Sequence, residues 1–198
     1  MRLDGVTLQN LEIFSNSFDS SDKGTLFKLL NRAITAFGKR MFRSWVVHPL
    51  MSKSKIDSRL DSVEHLMNDG DLKYLLESKL SKLPDLERLL ARVHSGTLKV
   101  KDFDKVVEGF ETISKLISQL KETYGENYEQ LSGALKEIVN GVPSELDECV
   151  KKWSSAFDRG VAASEGILIP ERGVEIEFDE KNSNPKKFAT KIVVKRST

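Results

Sequence analysis

VKDFDKVVEGFETISKLISQL, Val100 to Leu120, decides the fold class. Its apolar residues Val100, Phe103, Val106, Val107, Phe110, Ile113, Ile117 and Leu120 recur at intervals of three and four. That spacing gathers them on one face of an α-helix and would scatter them over both faces of a strand. A long helix with such a stripe needs neighbours to cover it, and the flanking sequence supplies them. The same test is met by Ile56, Leu60, Val63, Leu66 and Met67, by Tyr128, Leu131, Leu135, Ile138 and Val139, and by Leu146, Cys149, Val150, Trp153 and Phe157. Ser54 with Asp57 three residues on reads as a capped helix start, and Pro84 and Pro143 suit first-turn positions, where a missing amide proton costs little. Loops are expected at 16–23, 68–71, 95–97, 125–127 and 141–142, each rich in Gly, Asn, Asp or Ser. Extended signals are confined to the two ends, a short extended or turn-like entry in Val6 to Phe14 and the Val/Glu/Ile/Glu/Phe alternation of Val174 to Phe178.

The chain has 198 residues, 39% hydrophobic and 31% charged, which is enough for one domain with a sizeable core. Its formal net charge of +1 comes from interspersed acids and bases, so no global field draws it onto nucleic acid or an anionic membrane. No apolar run approaches the roughly 20 residues a membrane helix needs, and no secretory signal follows Met1, so an intracellular setting without membrane contact is expected. A single cysteine, Cys149, has no internal disulfide partner.

Residue types and their spacing supply no catalytic pattern. G-x-x-x-x-G-K-[ST] does not occur; Gly38-Lys39-Arg40 has neither the first glycine nor the hydroxyl residue that the phosphate cradle requires. His48, His65 and His94 lie apart from one another and from any second ligand at metal spacing. Cys149 shares the apolar face of Leu146, Val150 and Trp153, so a buried, inert thiol is expected. Asp57 with Asp61 and Glu108 with Glu111 read as solvated helix faces. No catalytic, cofactor-binding or metal residues are assigned, and the chain is expected not to be an enzyme.

Two blocks go beyond simple amphipathic patterning. In LDGVTLQNLEIF, Leu3, Asp4, Thr7, Asn10, Leu11, Glu12 and Ile13 fit L-D-x-x-T-x-x-N-L-E-I. In GTLFKLLNRAITAFGKRMFRSWVVHPL, Thr35, Gly38, Arg40, Trp45, Pro49 and Leu50 fit T-P-x-G-x-R followed by Trp and Pro-Leu, with Ala36 in place of the proline. Arg59 to Glu64 (RLDSVE) is a further block, and Asp85, Leu86, Glu87, Arg88 and Leu89 fit D-L-E-R-x-L. These ordered blocks resemble the lever (core) domain of the MutS family of DNA mismatch-repair proteins, most like the larger subunit of the eukaryotic mismatch-recognition heterodimer. Ile169-Pro170 and Gly173 to Asp179 resemble the segment before that subunit's clamp helices.

The resemblance implies a mainly α fold, a multi-helix array of the lever type with minor extended segments near both ends. Residues 1–180 would be the first half of the lever domain and 181–198 a divergent, disordered basic tail. It implies a structural and coupling role for Leu3, Asp4, Thr7, Asn10, Leu11, Glu12, Thr35, Gly38, Arg40, Trp45, Pro49, Asp85, Leu86, Glu87 and Arg88. That role is mechanical coupling of a DNA-gripping clamp to ATPase domains, with ATP and Mg held elsewhere in the parent and none in this chain. The implied partners are the other domains of the parent, a MutS-homologue partner subunit and, through the parent, mismatched double-stranded DNA; the implied location is the nucleus. The alternative is a stand-alone helical interaction module with an open apolar surface. Phe178-Asp179-Glu180 has the letters of the family's mismatch-reading Phe-x-Glu in an acidic context unsuited to DNA, and is read as coincidence. Lys186, Lys187, Lys191, Lys195 and Arg196, five positive charges in eleven positions, could give weak, salt-sensitive DNA contact.

Overall fold

The computed structural model describes residues 1–125, 128, 130–176 and 179. Among them the regular elements are ten helices: α1 Gly5–Asn10, α2 Leu26–Leu30, α3 Ala36–Val47, α4 Lys53–Asn68, α5 Gly70–Leu80, α6 Leu86–His94, α7 Val100–Tyr124, α8 Gly133–Asn140, α9 Leu146–Ser154 and α10 Arg159–Glu165. The fold class is mainly α, as the periodicity requires. Among the described residues, extended structure is limited to an isolated antiparallel bridge between Phe157 and Pro170, flanked by Asp158 N–H to Ile169 O at 2.9 Å and Glu171 N–H to Ala156 O at 3.0 Å. At the other end, Val6 to Asn10 is helical, because Asp4 caps α1 and overrides the weak extended signal; a turn-like stretch follows at 11–15. Val174 lies in a turn and Ile176 is helical, so the alternation there forms no strand among the described residues; Glu177 and Phe178 lie outside them.

The chain divides into two compact units, 1–82 with 121–141, and 83–120 with 142–198. In the first, α4 packs on α5 and, chiefly, on α8. The α4–α8 contact is built from small groups. Gly133 has φ +53°, and a Cβ there would fall 2.1 Å from the Ser58 carbonyl oxygen and 2.7 Å from Ser62 Oγ. Ser62, 8% exposed, donates to Ser58 O at 2.8 Å and accepts from Leu135 N–H at 3.2 Å, so the close approach leaves no buried hydroxyl unpaired. The core of this unit also takes Ile13, Leu72, Tyr124, Tyr128, Leu131 and Val139. Tyr128 and Leu131 serve it from the turn before α8 and not from within the helix.

The second unit is built along α7 as far as Leu120; the last turn of that 25-residue helix, from Lys121, belongs to the first unit. Val107 packs with Ala156, Phe157 and Ala162, and Val100, Phe103 and Leu168 close over them. Phe103 meets Trp153 edge-on at 5.6 Å and Phe157 at 5.5 Å, the offset geometries that aromatic quadrupoles favour.

Three helix starts differ from the sequence expectation. Helix α4 begins at Lys53 with Ser52 in the cap position and no side-chain cap bond; Ser54 Oγ faces Ser52 Oγ at 3.0 Å. Pro84 precedes the cap residue Asp85 of α6, and Pro143 opens the turn before α9, its carbonyl accepting from Leu146 N–H at 3.2 Å. The expected 68–71 loop shrinks to Asp69, which ends α4 and caps α5 through Leu72 N–H at 2.8 Å.

Candidate functional site

Three of the motif residues, Asp4, Thr35 and Asp85, start helices. Asp4 Oδ1 accepts from Thr7 N–H at 2.7 Å, Thr35 Oγ1 from Gly38 N–H at 3.0 Å, and Asp85 Oδ1 from Arg88 N–H at 3.4 Å. In these three of the four blocks the cap side chain is matched to the amide three positions on, satisfying one of the orphan donors of the first turn. Hydrogen bonding by Thr7 holds the exposed Asp4 carboxyl below its ordinary value. Gly38 is required by contact: a Cβ would fall 2.6 Å from the capping Thr35 Oγ1. The missing proline at Ala36 therefore leaves the working pair of that motif intact.

Glu12 occupies the left-handed region at φ +48°, a strain of about 1–3 kcal/mol for a non-glycine residue. Its carboxylate accepts from Ser17 N–H at 2.8 Å, and this contact lowers its pKa. The turn it makes aims Ile13 inward, 4% exposed, where the Ile13 carbonyl takes the Phe27 N–H at 3.1 Å. Leu3 N–H donates to Val47 O at 2.9 Å, tying the first block to the end of α3. Asn10 and Leu11 are exposed at the end of α1, and Pro49 is half-buried beyond α3. Arg40 is half-buried and engaged. Trp45 lies under the Arg59 guanidinium at 3.6 Å, which brings the second and third blocks together. Sequence reasoning missed the Arg43 guanidinium, stacked 3.7 Å over Phe14, and the Phe14–Phe27–Phe42 series beside it, because the aromatics are far apart in sequence.

In the second unit Leu86 is buried and sets its side chain against Gly109 of α7, where a Cβ would meet Leu86 Cδ2 at 2.7 Å; Glu87 and Arg88 are exposed. A polar brace there was not foreseen. Arg159 of α10 donates from Nε to Asp104 at 2.6 Å and from a terminal nitrogen to Glu111 at 2.7 Å, and Ser154 of α9 donates to the same Glu111 oxygen at 2.6 Å. Burial pushes the Glu111 carboxyl up, but Ser154 and Arg159 outweigh it and the net shift is downward. Glu111 is therefore a bridging acceptor and not a solvated face, a correction that follows from its position two turns after Asp104 on the side that meets α10. Alongside runs an apolar groove of about 800 Å³, whose lining includes Leu90, Val93, Phe110, Leu146 and Trp153. Cys149 lines it too and is exposed, not buried as expected, because the groove is open along that side of α9.

His48 is exposed at the end of α3, and His94 is exposed at the end of α6. His65 sits against Tyr124, ring centroids 6.4 Å apart, and its Nε2 is buried without a hydrogen-bond partner. Among the described residues no three His, Cys, Asp or Glu are placed to hold a metal ion, and no helix is long and apolar enough to cross a membrane. Lys186, Lys187, Lys191, Lys195 and Arg196, like Phe178 and Glu180, lie outside the described residues.

The model of MutS domain III matches residues 6–182. The chain belongs to the MutS family, as its domain III. It is 56% identical over 180 residues to the DNA mismatch repair protein MSH6 of Saccharomyces cerevisiae, covering 91% of this chain and 14% of that protein. It is 31% identical over 210 residues to human DNA mismatch repair protein Msh6, covering 91% and 15%, and 34% identical over 184 residues to the MutS of Methanosarcina acetivorans, covering 91% and 20%. The chain thus spans 14 to 20% of the length of these relatives. The motif residues from Thr7 to Arg88 fall within the matched range, and Leu3 and Asp4 just precede it.

Proposed function

We propose that this domain III acts as a mechanical relay inside a larger mismatch-repair protein, linking parts that hold DNA to parts that hydrolyse ATP and making or breaking no bond itself. The observation that carries the reading is the Arg159 brace, in which one guanidinium spans two turns of α7 while Ser154 ties α9 to the same Glu111 carboxylate. Cross-bracing of this kind makes a helical element move as a body, and rigid-body displacement is how packed elements transmit a change of state. The motif residues are proposed to serve the relay by fixing where helices begin. ATP and Mg belong, in this reading, to other domains of the parent; no phosphate loop occurs in the 198 residues. Mismatched DNA and a MutS-homologue partner subunit are met through the parent, which is proposed to work in the nucleus. The basic run from Lys186 to Arg196 is proposed to add at most weak, salt-sensitive phosphate contact.

The test uses the full-length parent. Proline at Val107 breaks α7 in its interior, at a local cost of about 3 kcal/mol or more, and Arg40→Glu reverses an engaged charge in the second motif block. Both variants are expected to bind mismatched DNA within about twofold of wild type while mismatch-stimulated ATP hydrolysis falls about tenfold, the loss of a coupling free energy of about 1.4 kcal/mol. Unchanged stimulation in both would refute the relay.

A further inference from the structure

Helix α4 is packed through its polar side. It meets α8 at Ser58 and Ser62, while Ile56, Leu60, Val63 and Met67 stand 38, 59, 52 and 79% exposed. At about 100° per residue those four fall within roughly 60° of one another and about 150° from the serine side, so the apolar stripe points away from α8. Their spacing of four, three and four is that of a coiled-coil seam. One edge of the seam is bounded by Arg59, already stacked on Trp45 at 3.6 Å. The other is bounded by Asp57 and Glu64, both exposed, and no ion pair to either occurs among the described residues.

We propose that this stripe is the docking site of an amphipathic α-helix that carries aliphatic side chains at the same three-four spacing and lysine or arginine along the edge facing Asp57 and Glu64. The spacing selects a helix, since a strand of period two would meet at most half of the four positions. The unpaired carboxylates select a basic flank. The stripe offers on the order of 400 Å², about half the roughly 800 Å² per partner that a stable free pair buries, which argues against a second copy of α4 as the occupant. Charge argues the same way: antiparallel self-pairing would set Asp57 and Glu64 against their equivalents, and parallel self-pairing would draw Arg59 off Trp45. The proposal does not depend on the relay reading, because its test reads no ATPase activity.

The experiment is a methyl NMR titration of the 198-residue chain with two synthetic 21-residue helical peptides, identical in leucine and isoleucine positions and flanked by lysine in one, glutamate in the other. The lysine-flanked peptide is expected to shift the methyls of Ile56, Leu60, Val63 and Met67 saturably below about 1 mM, and the glutamate-flanked one to bind at least about fivefold more weakly. Leu60→Lys, at an exposed position that leaves folding intact, removes the shifts; Asp57→Lys with Glu64→Lys inverts the peptide preference. Equal response to both peptides, shifts centred elsewhere, or no saturable response would overturn the proposal. So would concentration-dependent dimerisation in sedimentation that Leu60→Lys abolishes, which would assign the stripe to a second copy.

Discussion

Gly133→Ala tests whether the α4–α8 contact depends on the absence of a side chain. The residue sits at φ +53°, where an L-residue costs about 1–2 kcal/mol. Its Cβ would fall 2.1 Å from Ser58 O and 2.7 Å from Ser62 Oγ. The first of these is backbone and cannot rotate away, so α8 must retreat by about an ångström. That movement puts at risk three bonds across the contact: Leu135 N–H to Ser62 Oγ at 3.2 Å, Ser132 Oγ to Asp61 O at 3.3 Å and Ser62 Oγ to Ser132 O at 3.4 Å. The last two are long, and losing the equivalent of one to two normal bonds costs about 1–2 kcal/mol. Strain and lost bonds together give about 3 kcal/mol of destabilisation. Urea unfolding followed by far-ultraviolet circular dichroism measures it, with an unchanged m-value showing that the denatured state is not the cause. Gly70→Ala is the control: nothing lies within 4 Å of a Cβ there, φ is not positive, and a gain of up to about 1 kcal/mol is expected from reduced freedom of the unfolded chain. A Gly133→Ala cost below about 1 kcal/mol, or equal effects at the two glycines, would refute the close-contact account.

The Tyr124 hydroxyl donates to Asp69 at 2.6 Å, and this one bond lowers the Asp69 pKa below 3.8, while burial and then the same bond raise that of Tyr124 to about 12. The depressed carboxylate contributes stability that is present above its unfolded pKa and lost as pH falls through its folded one; the raised phenol contributes stability present below pH 10 and lost as pH rises toward about 12. Tyr124→Phe should therefore make both the acid and the alkaline limbs of a thermal-stability profile shallower, and limbs of unchanged slope would reject the coupling. Arg159→Gln should destabilise the chain by about 1 kcal/mol after allowance for solvent screening, and a double-mutant cycle with Glu111→Gln should show positive coupling that shrinks in high salt; additive effects would deny the brace. Native-state maleimide labelling of Cys149 should reach completion without denaturant, whereas labelling that requires unfolding would restore the buried thiol.

Periodicity identified helices because the spacing of apolar residues is a property of one helix, and α7 from Val100 to Tyr124 follows its stripe closely. Which face a helix covers is a property of two helices, and there the sequence misleads. The stripe of α4 is genuine but is not the face that meets α8, because Gly133 opposite Ser58 and Ser62 allows a closer approach than leucine or methionine would. Cys149 misled for the same reason: it belongs to the apolar face of α9, and that face lines an open groove. The Arg159 brace was illegible because its members are 48 and 55 residues apart and each looks like an ordinary surface charge on its own helix.

The motif letters behaved differently. Asp4 with Thr7, Thr35 with Gly38 and Asp85 with Arg88 are all local pairs three residues apart, and each is a cap whose chemistry is complete within one turn. A resemblance carried by such pairs therefore reports where helices start and how the chain enters them, and that is enough to specify a helical domain. It does not report what the helices press against. In the α4–α8 contact that task falls to a glycine and serines, and between α10 and α7 to Arg159, residues whose role shows only when the neighbouring atoms are in place. If domain III is a relay, its sensitivity to substitution should be concentrated at Gly133, Ser62 and Arg159 more than at the motif caps, since a frayed first turn costs about 1 kcal/mol locally whereas a separated pair of helices interrupts the body that has to move.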